Sequence, residues 1–199
     1  MRLIRAGLLA LALTAGAPAF AADPAVETVG QVYARFESAV KAGPGTLKDR
    51  IDAIGPTLET TFDFPAMIRL AVGGRWADFT PEQQGAVTEA FRRNFVTTYA
   101  NRLAQAAGGT FTVLPDVEAS GANRIVQTRV TTPDGDESEV AFVVNGSNLV
   151  QDVLLNGNVS EVAAQRASLA EPLQSGGADG LLAFLRQRTE GMLAAKRSP

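Results

Sequence analysis

Neither cysteine nor histidine occurs anywhere in the 199 residues. Those two absences exclude disulfides, thiol nucleophiles, zinc sites built on Cys or His, and Ser-His-Asp triads. General acid–base chemistry would fall to carboxylates, lysines or tyrosines with displaced pKa values. An excess of positive charge is absent too: 18 Lys and Arg stand against 21 Asp and Glu, a net charge of −3. That balance argues against a nucleic-acid partner and against strong electrostatic adhesion to an anionic membrane. Beyond the first 21 residues no stretch is long and apolar enough to span a bilayer.

Those first residues have their own pattern. Arg2 and Arg5 form a basic start, 8–13 an apolar run, and Ala19-Phe20-Ala21 a small-residue cleavage signature. This reads as a cleaved secretory signal over 1–21, with no lipobox cysteine after it. In a Gram-negative host, export places the remainder in the periplasm. Losing Arg2 and Arg5 takes the net charge from −3 to −5. Residues 22–199 then read as one domain, without repeats or low-complexity linkers.

Helix signals fill the first half. Asp23-Pro24 opens a helix whose apolar face is Val26, Val29, Val32, Tyr33, Phe36 and Val40, closed at Gly43-Pro44-Gly45. Thr46 and Asp49 cap a second, carrying Leu47, Ile51 and Ile54, which Gly55-Pro56 is predicted to break or kink. Asp63 caps a third with Pro65 in its first turn; Met67, Leu70 and Ala71 share a face, and Gly73-Gly74 end it. Thr80, Pro81 and Gln83 start the long helix on which the chain is organised. Its stripe is Val87, Phe91, Phe95, Thr98, Tyr99, Leu103 and Ala106, ending at Gly108-Gly109. So aromatic a stripe needs a broad apolar partner, and the strands that follow are the expected one. On residues alone it is either ordinary core or one wall of a ligand cavity.

The period then changes to two. Phe111 and Val113, then 125–132, 139–144 and 149–155, read as four strands. Pro133-Asp134-Gly135 and Asn145-Gly146 supply turns, so the expectation is an antiparallel meander. The acidic group Asp134, Asp136, Glu137 and Glu139 has a solvated turn's composition and lacks calcium-loop spacing. Ser160 caps a helix through Val162, Leu169 and Leu173; Ser175-Gly176-Gly177 links it to a last helix through Leu181, Leu185 and Met192. A tail over 196–199 is expected to fray. The class is α+β.

Several of these stretches together resemble the toluene-tolerance/Mla-type (MlaC-like) periplasmic lipid-carrier family. They are Phe62-Asp63-Phe64-Pro65-Ala66-Met67, Gly73-Gly74-Arg75-Trp76, Thr80-Pro81-Glu82-Gln83-Gln84, Phe91 onward to Thr98-Tyr99-Ala100, and Asp152-Val153 before Gly157. From Val159-Ser160-Glu161-Val162 to Ser175-Gly176-Gly177 the chain is similar to the hopanoid-biosynthesis-associated, HpnM-like branch. One departure is Asn148, standing about where members carry a tryptophan before the Asp-Val pair.

The resemblance implies a twisted four-stranded antiparallel sheet wrapped by N- and C-terminal helices around an apolar cavity. It also implies a monomeric, non-enzymatic carrier that moves phospholipid or a hopanoid-type lipid between a transporter complex in the inner membrane and one in the outer membrane. No cofactor and no metal is expected. The predicted lipid-binding wall has three sources. Phe64, Met67 and Leu70 come from the short helix, Phe91, Phe95, Tyr99 and Leu103 from the long one, and Phe142, Val144, Val153 and Leu155 from the strands. Tyr99 is placed to offer its hydroxyl to a head group. Trp76 either lids the cavity or closes the core. The alternative is a small-ligand enzyme using Asp63 or Asp152 as a buried general base; on strand alternation Asp152 faces away from Val153. A third reading is an adaptor whose bound lipid is structural.

Overall fold

Each helix begins where a cap satisfies its free amides. The computed structural model describes residues 23–43, 45–104 and 108–195. The predicted leader, Ala106 and the tail therefore lie outside the described residues. Asp23 accepts from the Ala25 amide at 2.8 Å and starts α1 (Pro24–Lys41). Thr46 and Asp49 form a reciprocal capping box for α2 (Leu47–Thr61), and Asp63 caps α3 (Phe64–Val72) through the Ala66 amide. A 3₁₀ turn, Gly73–Asp78, leads to α4 (Pro81–Leu103), where Thr80 and Gln83 exchange bonds of 3.2 and 3.0 Å. Such caps contribute about 1 kcal/mol each. Gly73, at φ 70°, sits where a side chain would be strained, and it ends α3 as expected.

Gly55-Pro56 does not break α2, contrary to expectation. Pro56 deletes only the amide that would reach the Asp52 carbonyl, and both residues lie on the exposed face, where water can take that carbonyl's place.

The sheet is an antiparallel meander in the order β1 (Thr110–Ser120), β2 (Asn123–Thr131), β3 (Glu137–Val144), β4 (Val150–Leu155), β5 (Val159–Ser160). It has five strands, not four. β1 also runs further than expected, to a tight connection at Gly121-Ala122, with Gly121 at φ 60°. Its register slips between Val113 and Val117 around Pro115, which has no amide to give a ladder. Edge position makes that slip tolerable. β5 is two residues long, and its Ser160 both pairs with Leu154 and accepts from the Ala163 amide, so it is strand end and helix cap together.

α5 (Glu161–Ala195) is two helical runs meeting at Gly177, where φ is 54° and ψ −136°. A Cβ on Gly180 would lie 2.3 Å from the Pro172 carbonyl oxygen, so the second run folds back closely onto the end of the first.

The main packing partners of the long helix are other helices. α4 packs against α5, α2 and α3, while α1 covers β1 and β2, and α5 and α3 reach β4. Where α2 meets α3, Phe62 is extended, bridges to Val150, and the Asp63 amide donates to the Val150 carbonyl at 2.8 Å. Helical layer and sheet are thus tied along β4. Between α4 and α1, which covers β1 and β2, a ring contact of Tyr99 with Phe36 bridges the two.

Candidate functional site

Those side chains are part of a continuous seam of rings. Phe62, Phe64, Phe91 and Phe95 make one group, with centroids 5.4–6.3 Å apart. Phe95 stacks on Tyr99 at 4.4 Å, and Tyr99 meets Phe36 at 6.4 Å. Phe36, Phe111, Tyr33 and Phe142 make the second group, with neighbouring centroids 5.1–6.3 Å apart. Among the described residues, Tyr99 of α4 against Phe36 of α1 is the ring contact that joins the first group to the second, which α1 shares with β1 and β3.

Most of the predicted wall converges on this seam. Phe64, Met67, Phe91, Phe95, Leu103, Phe142, Val144 and Val153 are all buried in one apolar cluster. Tyr99 and Leu155 are half-buried against it. Leu70 is not part of it: 42% exposed, it lies on the outer side of α3. The inner face of α3 is Phe64, Met67, Ile68 and Ala71, spaced three and four apart, and that sequence leaves Leu70 about a third of a turn away. The rings touch one another, so the predicted hollow is filled by its own lining. Making room for a ligand requires those side chains to part.

The two tyrosines of the seam differ in one respect. Tyr33 Oη lies 2.6 Å from Thr128 Oγ1, and Thr128 gives its own proton to the Val140 carbonyl, so Tyr33 is the donor. Burial pushes the Tyr33 phenol up to about 12, with the Thr128 bond opposing the shift. Tyr99 Oη is sealed from solvent and has no hydrogen-bond partner. Burial first, then the Glu161 carboxylate, hold its proton far above the usual phenol range.

Around Tyr99 lies a small polar cluster that sequence reasoning missed. The Arg102 guanidinium sits 5.4 Å from the Tyr99 ring centre. Arg102 Nη1 lies 3.3 Å from the carboxylate of Glu161, which is 4% exposed. Gln165 Nε2 donates to the same carboxylate at 2.8 Å, leaving buried Gln165 Oε1 without a donor. Tyr33, Phe36 and Phe111 were also outside the predicted site, although Tyr33 and Phe36 stood on the apolar face of α1 at helical spacing. Nothing in local spacing could join Tyr99 to Glu161, which belong to different helices.

Both carboxylates of the enzyme alternative are occupied. Asp63 caps α3 and accepts from Asn145 Nδ2 at 2.9 Å. Asp152 accepts from the Val153 and Val162 amides at 2.8 and 3.0 Å, and from Ser160 Oγ at 2.6 Å. Trp76 packs on Phe79 at 5.6 Å and lines a shallow surface cleft of about 560 Å³ with Asp63 and Gln84. A broader groove of about 970 Å³ runs between α2 and α4, floored by Ile51, Gly55 and Val96 and rimmed by charges of both signs. Neither depression is lined by the predicted wall.

A family model described as MlaC protein matches residues 27–187. No curated protein matches the chain. Among solved structures, a phospholipid-binding protein from Ralstonia solanacearum, determined in complex with a phospholipid, shares the fold with a TM-score of 0.73. It is 24% identical, and the alignment covers 84% of this chain and 98% of that one.

Proposed function

The chain belongs to the MlaC protein family, and from that premise we propose that it is a lipid-binding carrier rather than an enzyme, taking the apolar chains of an amphipathic lipid into the seam between α4 and the rings that α1 shares with the sheet. Exported by its leader, it works as a monomer in the periplasm. It shuttles a phospholipid or hopanoid-type lipid between an inner-membrane transporter complex and an outer-membrane complex.

The observation that carries the reading is the seam itself. Two aromatic groups, one on α3, α4 and Phe62, which follows α2, and the other shared by α1 and the sheet, meet through the side chains of Tyr99 and Phe36. Solid cores interlock main-chain elements directly; this one can part along a line of rings. Each lipid methylene moved out of water into such a lining contributes about 0.8 kcal/mol, so ten contribute about 8 kcal/mol toward separating the rings. The fold shared with the Ralstonia protein, and the phospholipid bound there, support the same cargo class.

The test is mass spectrometry of an organic extract of purified protein. A diacyl or polycyclic lipid near one equivalent per chain is expected, and a Phe95→Trp variant should lose it while keeping its circular dichroism. Protein that carries no lipid, and takes none from vesicles, refutes the reading.

A further inference from the structure

Four exposed residues, Arg69, Leu70, Arg75 and Arg166, meet where α3 packs on the first run of α5 and the 3₁₀ turn reaches it. Two hydrogen bonds cross this junction in opposite directions. Arg166 Nη2 donates to the Leu70 carbonyl at 2.6 Å, and Arg75 Nη1 donates to the Leu173 carbonyl at 3.1 Å. Each bond engages one of a guanidinium's five N–H donors, so both heads are fixed at the surface with donors to spare. Leu173 lies about two turns beyond Arg166 on the same side of α5, which sets the two guanidiniums roughly 10 Å apart along that helix. Leu70, 42% exposed, stands beside Arg69 and Arg166. α3 thus carries the seam residues Phe64 and Met67 on its inner face and this patch on its outer one.

The charge of the patch is uncompensated. Arg92, Arg102, Arg124 and Arg129 each face a carboxylate, whereas among the described residues Arg69, Arg75 and Arg166 have none within ion-pair distance. α3 itself holds no acidic residue. Asp63 and Glu89, which line the Trp76 cleft with Arg69, are engaged by Asn145 and Arg92. Asp78 ends the 3₁₀ turn, and Glu171 stands two positions before Leu173, about half a turn round α5. Guanidiniums prefer phosphate and carboxylate partners, and an exposed leucine among them prefers a partner with an apolar layer beneath its charge. Neither surface depression includes Leu70, Arg75 or Arg166. Protein interfaces seat their anchors in pockets, while a lipid surface adapts to a face without one. We propose that this face docks the protein on an anionic lipid surface, the three arginines meeting lipid phosphates and Leu70 entering between head groups. The negative charge of the whole chain keeps the docking weak and gives it one orientation. Docking of this kind goes beyond the carrier reading and needs no lipid uptake.

Flotation with vesicles of phosphatidylcholine, alone or with about a third phosphatidylglycerol, tests it. In about 0.1 M salt the exported protein should bind the anionic vesicles at least about tenfold more tightly, and about 1 M salt should remove the preference. Arg69 has no partner among the described residues, so Arg69→Gln removes a charge without breaking a bond. It should weaken binding to the anionic vesicles about fivefold. Arg35→Gln, which removes the same charge from the exposed side of α1, should leave that binding unchanged. Leu70→Ser should weaken it and leave its salt dependence as in the parent. Equal binding of both vesicle types by the parent, or equal losses from Arg69→Gln and Arg35→Gln, overturns the docking face whatever lipid the protein carries. Docking by protein that neither carries nor takes up lipid keeps the face and refutes the carrier reading.

Discussion

The two ends of the aromatic seam are built differently. On the helical side Phe62, Phe64, Phe91 and Phe95 are buried, and three helices crowd α4. On the sheet side Tyr33, Phe36 and Phe142 are buried, but Phe111, Val113, Val117 and Val130 are only half-covered. One end is therefore close-packed core, where a missing group leaves a void. The other is a rim, where side chains have room to move aside. The same contrast appears in the hydroxyls: Tyr33 at the sheet end is satisfied by Thr128, and Tyr99 at the junction is not. A carrier needs both properties, a rigid anchor on one flank and a yielding lining on the other.

The sharpest way to break that comparison is to truncate a ring at each end. Phe95→Ala should cost about 3–5 kcal/mol of unfolding free energy in urea titrations, as for other buried phenylalanines. Phe111→Ala should cost less than half as much, because its site is already partly open to water. Equal losses would mean that the two ends are packed alike.

A smaller effect separates the tyrosines by pH. In the unfolded chain a phenol releases its proton near pH 10, while folded Tyr33 holds its own up to about 12. Folded protein then retains a proton that the unfolded chain has lost. The contribution is fully present below pH 10 and is lost as pH rises toward 12, by about 2–3 kcal/mol. The stability of the parent should fall more steeply across that window than that of Tyr33→Phe. Parallel curves would refute the assignment.

The smallest effect has opposite signs at the two hydroxyls. Tyr33→Phe removes a made hydrogen bond and should destabilise the lipid-free protein by about 1 kcal/mol. Tyr99→Phe removes an unpaired buried hydroxyl and should stabilise it by a similar amount. If both substitutions destabilise, Tyr99 has a partner in solution and the contrast disappears.

Much of this architecture could be read locally. Caps at Asp23, Thr46, Asp63 and Thr80 are short-range hydrogen bonds written in three or four residues, and all four helices start there. The turn at Asn145-Gly146 was equally visible, though the connection extends to Leu149 and uses Asn148 at φ 62°. What periodicity cannot state is which element covers an apolar face. The stripe on α4 was assigned to the strands, and helices took most of it. Leu70 was misplaced because α3 is apolar on nearly every side, so spacing alone does not choose its inner face. The Tyr99 cluster was invisible for another reason. Glu161 and Gln165 read as ordinary helix-surface residues until the fold buries them beside Arg102.

The central claim is that the seam opens to admit lipid chains while the Trp76 cleft stays outside. A phospholipid with brominated acyl chains quenches indole emission only at contact, and Trp76 is the one tryptophan of the chain. Titrating that lipid into the parent, and into a Phe111→Trp, Trp76→Phe double variant, reads the two places separately. Strong quenching in the double variant with little in the parent is the predicted result. Quenching of Trp76 alone, or of neither, would contradict the account.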